Sequence, residues 1–317
     1  MAFSVTGLTN YTKTNEQMLI VKSFFTPKTA TYMQKLTGVK SSIQVPSLAD
    51  EFFWAAGGTC GLLSASGDTT ISARNLTVGK IKIEKSWCIA DLEAKYTQLL
   101  LSPGSNYESL PGGIDEAFVN FIMGSQGEKV EIALWQSVLN GTAIDYTNKF
   151  DGLIQIIAAS TGKIDANASA FMTPVTAINA SNIISAMQGI YLAIPAAILD
   201  KEDLRIFVGQ DWSRLYQNAL VNSSASYYVN NYINTDANGE YYLMGTNVKV
   251  VPVPGLNGTN KAYALRTSNM FLGCDLESEE DEMKTWYSQD YDSVFMRMKF
   301  KLGTQISQPT EVVRFTL

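Results

Sequence analysis

The stretch from Leu76 to Glu84 sets the tightest limit on how this chain folds. Leu76 and Val78 share one alternation, Ile81 and Ile83 share the other, and Lys80, Lys82 and Glu84 fill the gaps. Successive strand side chains point to opposite faces. The one-residue slip at Gly79 therefore requires a bulge or bend, and a glycine suits one. Just upstream, residues 56–70 are rich in Gly, Ser and Thr, and Gly67-Asp68 is a turn signal. Together these features predict a long, kinked hairpin over 57–87. It is too polar and too long for one core, so it is either an ordinary solvent-facing hairpin or a ribbon that reaches a partner.

The longest helical pattern runs from Asp115 to about Leu139. Phe118, Phe121, Ile122, Ser125, Ile132, Trp135 and Leu139 follow a 3.6-residue spacing, and Gly141 stands where a C′ glycine belongs. Such a rod is about 38 Å long. A short helix is expected over 91–101, ended by Ser102-Pro103-Gly104, and a short buried segment over 150–157. Residues 180–193 and 212–220 read as helices, the second with Asp211 as N-cap. Residues 204–208 and 248–250 read as strands. Val294 to Leu302 and Val313 to Leu317 alternate as half-buried antiparallel sheet. The first 45 residues show little periodicity and read as an extended arm. Even so, Phe24, Phe25, Tyr32 and Met33 need something to pack on. The acidic run Asp275, Glu277, Glu279, Glu280, Asp281, Glu282 reads as a solvated turn, and it lacks the spacing of a calcium loop.

Chemistry is constrained by what is missing. The chain of 317 residues contains no histidine. This excludes Ser-His-Asp and Cys-His catalysis and removes the commonest general base and metal ligand. Cys60, Cys88 and Cys274 are widely spaced and form no zinc or CxxC pattern, so they read as buried or inert thiols in a reducing compartment. No phosphate-binding, dinucleotide or nucleophile-elbow motif occurs. Asp145 and Asp151 are an unremarkable carboxylate pair. No cofactor and no metal are expected. The net charge of −6 opposes a phosphate-gripping surface, though not the enclosure of DNA. Only 17% of residues are charged, so the polar surface is largely neutral, which lowers the cost of burying it against partners. No signal peptide or membrane span is visible.

The order of these elements resembles the Hong Kong 97-type fold of tailed-phage major capsid proteins. The motifs that carry the resemblance run in order along the chain: FWAAGGTCG at 53–61, DTTISARNLTVGKIKIEKSWCIADLEAKY at 68–96, LSPGSNYESLP at 101–111, ALWQSVLNGT at 133–142, FDGLIQII at 150–157, then NMFLGCDLESEED and YDSVFMRMKFKLGTQISQPTEVVRF. They are most similar to capsid proteins from phages of Bacteroidetes-group bacteria. The resemblance implies an α+β fold with an N-arm over 1–45 and an E-loop region over 46–87. The peripheral domain would combine 88–157 and 269–317, with a spine helix over about 115–140. The axial domain would span 158–268. It further implies hexamers and pentamers that close into an icosahedral head around double-stranded DNA, bound without sequence reading. Portal, scaffolding and head-decoration proteins would be partners. The protein would be found in the virion, assembled in the host cytoplasm. The arm begins almost at Met1, so either a separate scaffold acts or a pro-segment is removed. The assembly residues expected are Phe24, Phe25, Leu62, Leu63, Ile71, Leu76, Val78, Gly79 and Ile81, with Tyr227 and Tyr228 as further contacts. Two alternatives stay open: an encapsulin-like nanocompartment of the same fold, and a glycan-binding tail or adhesion protein using the Tyr-rich segment 227–242.

Overall fold

The structure, a computed structural model, describes residues 27–50, 69–88, 113–142, 145–222, 239–275, 283–291 and 293–317. The first part of the chain forms β1 (Gln34–Leu36), β2 (Ser42–Asp50), β3 (Thr69–Thr77), β4 (Gly79–Cys88), α1 (Gly113–Gln136) and α2 (Leu153–Ala159). The middle forms β5 (Ile164–Asp165), α3 (Ile183–Leu192), α4 (Ala196–Leu199), β6 (Leu204–Val208), α5 (Gln210–Val221), β7 (Tyr241–Tyr242), β8 (Lys249–Pro252) and β9 (Lys261–Arg266). The chain ends with β10 (Met270–Asp275), β11 (Met283–Ser288), β12 (Ser293–Ile306) and β13 (Val313–Thr316). Among the described residues, no helix is long and apolar enough to cross a membrane.

Strand β12 organises a five-stranded sheet. One of its edges pairs with β4, from Ser293↔Cys88 to Leu302↔Gly79. The other edge takes β11 first and then β10. Its burial alternates as the sequence implies, with Val294, Met296, Met298 and Phe300 facing the core. Helix α1 lies on this core and contributes Ile122, Val130, Ala133, Leu134 and Trp135. Of the expected face, Ile122 and Trp135 are buried and Ser125 and Ile132 half-buried, but the helix stops at Gln136 and Leu139 beyond it is exposed. The left-handed residue after it is Asn140 (φ 57°), not Gly141. Asparagine tolerates this region because its short amide compensates locally.

A six-stranded sheet runs in the order β5-β13-β9-β6-β8-β7. Its two faces serve two cores, as the two-residue strand period requires. Phe207, Val251, Val253, Tyr263 and Leu265 join the core beneath α1. Ile206, Val208, Val250, Ala262, Ala264 and Phe315 join the core under α3 and α5. Strand β13 pairs with β9 and β5, so the chain end lies in the six-stranded sheet and not in the sheet of β10–β12. Asp211 is not the N-cap of α5. Gly209 holds that position, and the Asp211 carboxylate accepts from the Gly258 amide at 3.1 Å.

The acidic run also departs from expectation at its first member. Asp275 is 1% exposed and pairs with Lys301 at 2.9 Å. The other five acidic residues of the run lie outside the described residues, as do the helix expected over 91–101 and Cys60. Cys274 is buried as expected, whereas Cys88 is exposed.

Candidate assembly surface

The ribbon is displaced from the position the alternation suggests. β2 pairs with β3 from Ser42↔Thr77 to Asp50↔Thr69, so the paired ribbon consists of 42–50 and 69–77. Its outgoing strand begins inside the stretch expected to be arm, and β4 belongs to the five-stranded sheet. The parity switch marks the passage from one sheet to another at Val78 and Gly79 rather than a bulge in one ribbon. Gly79 is required by proximity: a Cβ there would collide with the Lys149 carbonyl.

Opposed residues of an antiparallel pair share a face. Ile43, Val45 and Ser47 therefore lie on one face of the ribbon with Leu76, Arg74 and Ser72, and Ile71 and Pro46 on the other. Near its root the first face is held. Leu76 is fully buried and Val78 9% exposed, both in a small core with Val39 and Val45. Arg74 donates to the Ser160 hydroxyl at 2.7 Å. Gln305 Nε2 donates to the Asn75 carbonyl at 2.6 Å. On the other face the Ser307 hydroxyl donates to the Pro46 carbonyl at 3.3 Å. Ile71 is 76% exposed and Ile43, nearer the root, 40%. A paired ribbon of nine residues spans about 30 Å.

The expected contact residues thus divide. Ile71 stands exposed on the ribbon. Leu76 and Val78 are corrected: they anchor the ribbon inside their own chain, because the root needs an apolar seat. Ile81 is likewise turned inward, packed on the core beneath α1, and Gly79 meets Lys149. Phe24, Phe25, Leu62, Leu63, Tyr227 and Tyr228 lie outside the described residues.

A seat that the sequence did not announce completes the root. Gly273 of β10 and Gly303 of β12 are direct cross-strand partners. A Cβ on Gly273 would strike the Leu76 side chain, and one on Gly303 would strike the Thr77 carbonyl. Neither glycine has a positive φ, so their role is close approach. The signal was present as one glycine inside each of the two strands. Gly303→Ala pushes against backbone and cannot be absorbed by a rotamer change. We expect it to cost about 1–3 kcal/mol, read as a lowered urea midpoint at unchanged m-value.

The arm's root is packed as well. Ala30 and Met33 are buried, and β1 pairs in parallel with β10. Thr29 donates its amide to Glu131 at 2.9 Å. Burial pushes the Glu131 carboxyl above the usual glutamate range, against the opposing pull of the Thr29 donors and Lys28. A carboxyl raised by folding binds its proton more tightly in the native state, so its contribution to stability grows on acidification and is lost as pH rises. Between neutral pH and about 4.3, the ordinary glutamate value, the native protein should gain stability relative to Glu131→Gln. Denaturant titrations of both proteins across that window check this.

Among the described residues, no group of three or more His, Cys, Asp or Glu side chains could hold a metal ion.

No protein-family model matches the sequence, and no curated protein matches it. Solved structures do. The chain is similar to one from the satellite phage P4 procapsid, which includes the size determination (Sid) protein, with a TM-score of 0.68 at 11% identity over 95% of this chain and 90% of that one. A chain of Mycobacterium phage Bobi gives 0.52 at 11% identity over 92% and 90%. The virus-like particle from Pyrococcus furiosus gives 0.51 at 9% identity over 94% and 95%. The ribbon, the long helix beneath the five-stranded sheet and the six-stranded sheet define the class: this is the Hong Kong 97-like capsid fold, a mixed α and β architecture.

Proposed function

We propose that this chain is the major capsid protein of a tailed phage, a structural subunit and not an enzyme, which self-assembles into the icosahedral head enclosing double-stranded DNA. The observation that carries this reading is the whole-chain likeness to the P4 procapsid subunit. It is joined to a ribbon that is seated at its root and exposed at Ile71. Head-to-tail contacts through the axial unit close into hexamers and pentamers. The ribbon and the arm lie across neighbouring copies, and many weak contacts made together give a stable shell. The acidic charge repels packed DNA, so the wall encloses it without gripping it. Portal, scaffolding and decoration proteins complete the head, which is assembled in the host cytoplasm and found in the virion. The host group, phages of Bacteroidetes-group bacteria, rests on the sequence motifs alone.

A second reading, a nanocompartment shell, is favoured by the likeness to the Pyrococcus furiosus particle. Negative-stain microscopy of particles from the native source tests both. Closed icosahedral shells filled with DNA support the phage head, and shells filled with a protein cargo support the compartment. A purified protein that stays monomeric under all conditions of salt and concentration sinks both.

A further inference from the structure

Residues 28–33 touch three parts of the molecule at once. Thr29 reaches α1: its amide and its hydroxyl donate to the two carboxylate oxygens of Glu131, and the same hydroxyl accepts from Trp135 Nε1 at 2.8 Å. Tyr32 reaches the six-stranded sheet. Its ring meets Phe207 edge-on at 5.8 Å, and its hydroxyl donates to Glu240, just before β7. The segment then runs directly into β1, the edge strand of the five-stranded sheet. Met33 and Ala30 are buried between these attachments.

The joint that this segment spans is tight. Trp135 stacks on Tyr263 at 5.5 Å and meets Phe207 at 5.7 Å. Gln136 Nε2 donates to the Gly255 carbonyl at 2.8 Å, and a Cβ on Gly255 would strike Trp135. Glu131 itself is 2% exposed. A buried carboxylate needs donors: Thr29 gives Glu131 an amide and a hydroxyl, beside a backbone hydrogen bond from Gly255 across the joint. If Thr29 leaves, Glu131 loses two of these donors, so the segment cannot lift without a cost at the joint. Lys28, which lies near both Glu131 and Glu240, offsets their charge.

We propose that residues 28–33 are a clip that fixes the angle between α1 and the six-stranded sheet, with Glu131 as its catch. The seating of residues 28–33 and the angle between α1 and the six-stranded sheet then change together. A pull on this segment is felt at the Trp135–Tyr263 joint, and a rotation of the sheet loosens the segment. This rests on the contacts within one chain and stands whether or not the chain builds shells.

Amide hydrogen exchange on the full chain tests it. The Thr29 amide reports on the catch directly, and residues 253–257 report on the joint. Thr29→Val keeps the shape and removes the hydroxyl. We expect amides 29–33 and 253–257 to exchange at least about ten-fold faster together, since the hydroxyl carries the charge-assisted bond to Glu131 and the bond from Trp135, with 294–306 unchanged. Tyr32→Phe releases only the Glu240 attachment. It should speed 253–257 and 239–243 while Thr29 stays protected. Faster exchange at 29–33 with 253–257 untouched would reduce the clip to a local anchor and overturn the coupling. Equal acceleration everywhere, 294–306 included, would overturn it too, as would no change at either place.

Discussion

Excising residues 47–72 and joining Pro46 to Ala73 through Asn-Gly yields a folded protein that builds no shells. The cut falls at a cross-strand pair, where a two-residue type I′ turn closes an antiparallel ribbon without strain. Everything that seats the root survives: Val45, Leu76 and Val78 remain in their small core, and Gly273 and Gly303 still face the ribbon. Thermal and urea midpoints should therefore stay close to those of the parent. Assembly should fail, because avidity multiplies contacts. Losing one class of contact per subunit forfeits a factor of about 10²–10⁴ in effective association. Sedimentation should find the variant as free subunits or small rings at concentrations where the parent forms particles. Intact shells from the shortened chain would remove the ribbon from the account of assembly, and an unfolded product would show that the ribbon belongs to the subunit core.

What could be read from the sequence was whatever depends on local period. β12 alternates because one face is buried, and that pattern survives in the bare residue order. α1, β6 and α5 were visible for the same reason. What could not be read was pairing. The residue order 76–84 shows a parity switch, but the same switch arises from a bulge within one ribbon and from a passage between two sheets. Only the partners, β2 on one side and β12 on the other, separate these cases. The same blindness placed Leu76 and Val78 on a surface. Their apolar character was correct, but their partners Val39 and Val45 came from a stretch with no period of its own. The sheet that receives β13 was not legible either, because a four-residue strand carries no mark of its partners. Asp275 was grouped with its acidic neighbours, although its partner Lys301 lies 26 positions away.

Trp135→Ala should separate the molecule into two unfolding units. Trp135 is fully buried, and its ring contacts reach across from α1 to Phe207 and Tyr263 of the six-stranded sheet. Those two residues belong to the face of that sheet that serves the first core, while the other face serves a core with its own helices α3 and α5. Truncating a buried tryptophan costs about 3–5 kcal/mol, a large share of the roughly 5–15 kcal/mol that holds a domain folded. Here the loss falls on the contact between the units and spares the interior of the second one, where Trp212 packs on Phe315 at 5.2 Å. Protection of residues 212–220 from exchange should therefore persist at urea concentrations where residues 294–306 have already opened, whereas in the parent both open together. Trp135→Phe is the control, since it keeps an aromatic ring and loses only the bond to Thr29, at about 1 kcal/mol. A single transition in Trp135→Ala, with both segments opening together at a lower midpoint, would mean that the two cores are joined by more than this aromatic contact.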